Sequence, residues 1–221
     1  MMELDITPDW VLTWQSCGQV IDFLPSSLAD LESAQGLNLE YTSRFISSAT
    51  PDLLSAFEDR FRQVSALFPE ITGDIKIGIT NSYRGLAITE SRGGIISRKL
   101  SFPPLSNKGL PSKYIIGHEL MHICHAQTRH FPGTERATDI FTLARLPPEF
   151  LDSPPPYLKI PDYVRRNWLQ PGIHGFVSNL AHELALISTL SVGADHRYIQ
   201  KWESTFEKRT REMTDFGLAR T

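Results

Sequence analysis

Four of the chain's seven histidines fall between positions 118 and 130, in the run HELMHICHAQTRH, and two acids, Glu135 and Asp139, follow four residues apart. His118-Glu119-Leu120-Met121-His122 is the pattern H-E-x-x-H. On an α-helix, residues four apart differ by about 40° around the axis and ~6 Å along it. Both imidazoles then leave one face and can converge on one ion. Glu119 lies about 100° round from His118, placed to hold a water without ligating the ion. The spacing therefore separates ligation from proton transfer.

A catalytic zinc usually takes three protein ligands and one water, so two histidines need a third partner. His125 lies near the face of His118 but two turns on, at ~10 Å, and reads as a rim or packing histidine. The metzincin pattern H-E-x-x-H-x-x-G-x-x-H would need glycine at 125 and histidine at 128, where this chain has His125 and Thr128; His130 falls off that register. Beyond the turn-forming RHFPGT, Thr134 has the chemistry of an N-cap. A second helix is expected from Glu135 to just before Pro147-Pro148, with Glu135 and Asp139 on one face. A helical hairpin brings its start back towards the histidines. One carboxylate can ligate; the other can accept the N–H of a ligand histidine. The plainer alternative is a solvated acidic face paired with Arg136 or Arg145.

HELMH followed by ERATDIFTLARLPPEF resembles the gluzincin group of zinc peptidases, whose second helix carries E-x-x-x-D. It is also similar to the ImmA/IrrE family, with Glu135, Thr138, Phe141, Leu146 and Pro147 approximating that family's second helix. The likeness spans about residues 75–150. One departure is the connection: only twelve residues separate His122 from Glu135, shorter than expected in either group. The resemblance implies Glu135 as the third ligand and Asp139 behind a ligand histidine. The first-turn position and longer side chain of Glu135 favour the same choice, with Asp139 one turn deeper and aimed at His118.

The resemblance also implies an activity, zinc-dependent hydrolysis of peptide bonds. Zinc lowers the pKa of its bound water to about 7, and Glu119 would act as general base. A second oxyanion donor is usual; Tyr157, Tyr163, His174 and His182 are candidates, and Tyr157 and His174 are preferred because they flank a proline-rich connection. A peptide or protein substrate would lie along the edge of a small sheet, for which the hairpin at 86–101 is the natural edge. The competing class is a catalytically silent zincin-fold protein that regulates or binds a partner; the intact Glu119 argues against it. Cys17 could cover the metal as a latency ligand, although a small buried thiol is the plainer reading.

Composition narrows the field. The net charge is −3 with no basic block, which gives no footprint for nucleic acid. No apolar run approaches the ~20 residues of a membrane span. The opening MMELDITPDW is acidic, unlike a secretory leader. Two cysteines make no disulfide framework, so a reducing cytoplasmic setting is the default.

The elements that must carry the site follow from periodicity. Thr7-Pro8-Asp9 predicts a helix bearing Trp10, Val11 and Trp14, and PSSLADLESAQG a second ending at Gly36. Residues 37–49 are ambiguous. Thr50-Pro51-Asp52 opens the clearest helix of the first half, with Leu53, Leu54, Phe57, Phe61, Val64 and Phe68 at helical spacing. Ile75, Ile77 and Ile79 alternate as in a strand, and LAITES, Gly93-Gly94 and IISRKLSF read as a hairpin. Pro111-Ser112 begins the histidine helix. Residues 147–171 hold seven prolines and predict an irregular connection. Two last helices carry Phe176, Leu180, Leu184 and Ile187, stopped at Gly193, and then Tyr198, Trp202 and Phe206. The expectation is one α+β, mainly helical, zincin-like domain over 1–221, with a small sheet beside the H-E-x-x-H helix. Within it, 1–50 would be a helical arm, 51–146 the core, and 147–221 the proline-rich connection and C-terminal helices.

Overall fold

A computed structural model describes residues 12–16, 19–23, 36–81, 85–92, 95–106, 109–128, 134–192 and 197–215. The chain divides into two compact units, residues 1–35 and 36–221. In the first, β1 (Leu12–Ser16) pairs antiparallel with β2 (Gln19–Phe23), Leu12 opposite Phe23 and Ser16 opposite Gln19. The helix expected to carry Trp14 is therefore a strand. Thr13, Trp14, Val20, Ile21 and Phe23 are β-branched or aromatic, and strand pairing outweighs the local helix-start signal at Thr7-Pro8. Thr7–Trp10, the helix expected over PSSLADLESAQ, and Cys17 lie outside the described residues.

The second unit is α+β and mainly helical. It opens with β3 (Leu37–Tyr41) and the short α1 (Ser43–Ser47), so the stretch expected to finish a helical arm joins the sheet instead. Next come α2 (Pro51–Ser65), β4 (Gly73–Ile79), β5 (Leu86–Arg92) and β6 (Ile95–Phe102). The sheet order is β3-β4-β6-β5; β3 and β6 run parallel to β4, and β5 pairs antiparallel to β6. The isoleucine alternation and the hairpin are thus both present, and β5 is an edge strand.

Local chemistry explains α2. The Thr50 side chain accepts from Leu53 N–H, Pro51 opens the helix and Asp52 lies in its first turn. Its Phe57, Phe61 and Val64 are fully buried, each worth about 1.5–3 kcal/mol of apolar transfer. Phe57 packs edge-on to Phe45 and Phe102 and tilted against Phe61, which fixes α2 on the sheet.

The remaining helices are α3 (Lys113–Thr128), α4 (Glu135–Arg145), α5 (Asp162–Arg166), α6 (His174–Leu190) and α7 (Tyr198–Asp215). α3 packs on α2, β5 and α4, and is buried almost all round. α6 packs on α4 and α7 through Val177, Ala181, Ala185 and Ser188. Phe176 and Ile187, expected on the apolar face, are instead 36% and 51% exposed. Leu180 of the expected face is buried, but most of the buried stripe is made of the smaller Val177, Ser178, Ala181, Ala185 and Ser188, which turns Phe176 and Ile187 outward. Trp202 stacks on Phe206 at 4.8 Å and closes this helical layer.

The connection at 147–171 is irregular, as its prolines require, but its backbone is tied at both ends. It contains a single 3-10 turn at Pro148–Phe150 and α5. Asp152 accepts from the first-turn N–H groups of Lys113 and Tyr114 of α3, at 3.0 and 3.1 Å. Trp168 donates its indole N–H to Leu151 O. Arg165 donates to Pro155 O and Leu158 O. No helix among the described residues is long and apolar enough to cross a membrane.

Candidate metal centre

His118 and His122 leave α3 on one face, as four-residue spacing dictates. Thr134 caps α4 by accepting from Ala137 N–H, and so sets Glu135 in the first turn. Glu135 Oε2 lies 3.0 Å from His118 Nε2 and 3.2 Å from His122 Nε2, and the two Nε2 atoms are 3.2 Å apart. A tetrahedral zinc with bonds of about 2.0–2.2 Å would set its ligand atoms about 3.3–3.6 Å apart, slightly wider than these separations. The three atoms therefore form a triangle close to one face of such a tetrahedron. This group of two imidazoles and one carboxylate can hold a metal ion, and its nitrogen and oxygen donors are of the types zinc accepts.

Each histidine is oriented from behind. His118 Nδ1 lies 3.0 Å from Asp139 Oδ1, an ion-pair distance, though off the strict hydrogen-bond line. Asp139 is fully buried and makes three further bonds. Its Oδ1 accepts from Tyr114 Oη at 2.9 Å, and its Oδ2 from the N–H groups of Tyr157 and Leu158 at 2.8 and 3.0 Å. One carboxylate thus orients a ligand and anchors the proline-rich connection.

Behind His122 stands Thr138. Its hydroxyl donates to Thr134 O at 3.1 Å, which leaves its lone pairs for Nδ1–H of His122 at 3.5 Å and of His125 at 3.3 Å. That tautomer turns the Nε2 lone pair of His122 to the ligand triangle. His125 is a packing residue, as its distance from His118 predicts, set edge-on to Phe141.

Charge organises the site. Burial alone would lower the pKa of His118, but its contacts with Asp139 and Glu135 outweigh this and hold it at about 9. The His118 hydrogen bond holds Glu135 down at about 2, with burial opposing and His122 assisting. Burial raises Glu119 to about 7, against the nearby His118 and with the help of Glu135. Burial, with the neighbouring His118 charge, lowers His122. His125, buried beside two other imidazoles, falls to about 4.

Glu119 is 4% exposed and does not belong to the ligand triangle. It faces a cavity of about 290 Å³ lined also by His122, Glu135, Tyr157, Ala126, Gly85 and, from β5, Leu86, Ala87 and Thr89. Tyr157, one preferred oxyanion candidate, lines this cavity and stacks its ring on His118 at 5.5 Å. The other, His174, is not among the lining residues. It donates Nδ1–H to Trp168 O at 3.1 Å and closes the turn into α6, which removes it from the site. His182 likewise donates to Leu143 O at 2.8 Å and ties α6 to α4. Tyr163 does not line the cavity either. His130 lies outside the described residues.

Sequence reasoning missed three contributors. Thr138 had a readable signal, since it shares the inner face of α4 with Glu135 and Asp139. The cap from Asp152 had none, because the partners are 39 and 38 residues apart. Neither did Gly85, whose role depends on which element packs above it. No known protein family, characterised protein or solved structure matches the chain. The class that fold and site define is thus an α+β chain with a candidate metal centre of two histidines and one glutamate.

Proposed function

We propose that the chain is a zinc-dependent peptidase. The observation that carries this reading is the convergence of His118, His122 and Glu135 in a near-tetrahedral face beside a buried, non-ligating Glu119 on an open cavity. Structural zinc sites close all four positions with protein atoms, whereas three donors among the described residues and an accessible cavity suit catalysis. The resemblance of HELMH and the E-x-x-x-D helix to gluzincins supports the same class.

Bound zinc would supply Lewis acidity towards water and towards the scissile carbonyl. His118, His122 and Glu135 would hold it, with Asp139 and Thr138 fixing the imidazoles. The Glu119 carboxylate takes a proton from the attacking water and returns it to the leaving amine nitrogen. Burial holds the Glu119 pKa up at about 7 in the metal-free chain, and a cation at the ligands would lower it and favour the carboxylate that accepts the proton. Tyr157 is the residue placed to donate to the developing oxyanion. The edge strand β5 is the strand along which an extended peptide would add, a mode that accepts many sequences. We place the protein in the cytoplasm on its cysteine content.

Metal analysis and cleavage of dye-labelled unfolded casein by the purified protein test the proposal. About one zinc per chain and chelator-sensitive cleavage are expected. Stoichiometric zinc without cleavage would favour the silent regulatory alternative, and no bound metal would end both.

A further inference from the structure

We infer that Gly85 is a positioning residue for Glu119, and that the missing side chain at 85 is what lets the carboxylate face the cavity. This rests on the reading of Glu119 as general base. A Cβ built at Gly85 would lie 2.4 Å from Cγ, 2.5 Å from Cδ and 2.5 Å from Oε1 of Glu119. Real Cβ atoms essentially never come this close, and ordinary contact starts at about 3.4 Å. An alanine would thus drive the carboxylate back by about 1 Å.

The backbone does not explain the glycine. Gly36, Gly73, Gly109 and Gly172 have positive φ, where side chains are strained, but Gly85 does not. Gly85 is required by space, and the space belongs to Glu119. The fold creates this contact: α3 packs on β5, and Gly85 is the residue just before that strand begins. Glu119 is 4% exposed, so the shifted carboxylate would have to move into the cavity that it lines. The three atoms nearest the added Cβ all belong to Glu119 and none to His118, His122 or Glu135, so the change is aimed at the base and not at the metal donors.

A double-mutant cycle tests the contact without reference to activity. Gly85→Ala should lower Tm by roughly 3–10 °C, the range of an overpacked site in a chain of this size. The same change made in a Glu119→Ala background should leave Tm within about 1–2 °C, because the clashing atoms are gone. Zinc content of Gly85→Ala should stay at about one per chain. Its kcat on unfolded casein should fall about 100-fold, as a ~1 Å misplacement commonly costs, with KM changed less than about threefold. Equal Tm losses in both backgrounds would mean that the backbone itself needs glycine and would overturn the inference. So would unchanged Tm and kcat. If Glu119→Gln cleaves at the wild-type rate, the catalytic reading fails while the Tm cycle still decides the contact.

Discussion

His118 has two ring nitrogens with separate partners: Nε2 faces the candidate metal position and Nδ1 is held from behind. Glu135 meets Nε2 and Asp139 meets Nδ1. Replacing both His118 and His122 by alanine should abolish stoichiometric metal, measured by metal analysis of the purified protein. Glu119→Gln should keep metal and fold yet lose cleavage by orders of magnitude, because an amide of the same shape accepts no proton. Glu135→Ala should weaken zinc more than Asp139→Ala does, since loss of an orienting partner typically costs 10–100-fold. Asp139→Ala should in turn destabilise the fold by roughly 3–5 kcal/mol in urea denaturation, since it strands the backbone N–H groups of Tyr157 and Leu158 and leaves Tyr114 Oη only its longer bond to the carbonyl of residue 139. A reversed order of zinc affinities would make Asp139 the ligand. The pH behaviour has a defined sign. The folded pKa of His118, about 9, is above its unfolded value, so its contribution to stability is complete below about 6.5 and lost as pH rises through 9. Metal-free protein should therefore lose Tm between pH 6.5 and 9, whereas zinc-loaded protein, with that proton already displaced, should not share the loss.

At the scale of elements, the site depends on how α4 and the proline-rich connection are held. Arg136, next to the candidate ligand Glu135, pairs with Glu203 of α7, and Glu203 Oε1 also accepts from Lys159 N–H at 2.8 Å. Glu203 is 7% exposed, so the pair ties the start of α4 and the connection to α7 in a mostly dry environment. Glu203→Ala should cost about 1–3 kcal/mol in chemical denaturation, mostly through the stranded Lys159 N–H. Because Arg136 is more than a third exposed, its share is small. An unchanged midpoint would show that this tether is idle. Several elements were legible beforehand for plain reasons: α2 from its Thr-Pro-Asp start, β4 from alternating isoleucines, the β5–β6 hairpin from Gly93-Gly94, and α4 from its Thr134 cap. Others were not. β1 was hidden by a helix-start signal, and β3 is a parallel strand whose partner, β4, lies over thirty residues on. The packed face of α6 depends on which neighbours arrive, and small residues carry little hydrophobic signal.

For the molecule as a whole, the second unit carries a core that does not depend on the site. Phe45, Phe57, Phe61 and Phe102 join α2 to the sheet, and Trp202 and Phe206 close the helical layer. A chelator should therefore lower Tm without unfolding the protein, in contrast to zinc fingers, whose folding is metal binding. Zinc at 1,000 times its Kd would add about 4 kcal/mol, readable by calorimetry as a concentration-dependent Tm. A metal-free chain with no cooperative transition would contradict this. What the sequence determined by itself was whatever helical periodicity can enforce: two imidazoles on one face, a glutamate turned away from them, and two acids on one face of the next helix. Those relations span four residues and survive any packing. What only the tertiary structure decided was everything that needs two elements to meet. Three donor atoms close into one triangle because α3 and α4 pack with a particular offset. Tyr157 reaches His118 while His174 does not because Asp139 catches the backbone of the connection at Tyr157 and Leu158. Gly85 matters because α3 lies across the start of β5. Such contacts come from the sum of many weak packing terms across the chain, and no short stretch of sequence holds that sum.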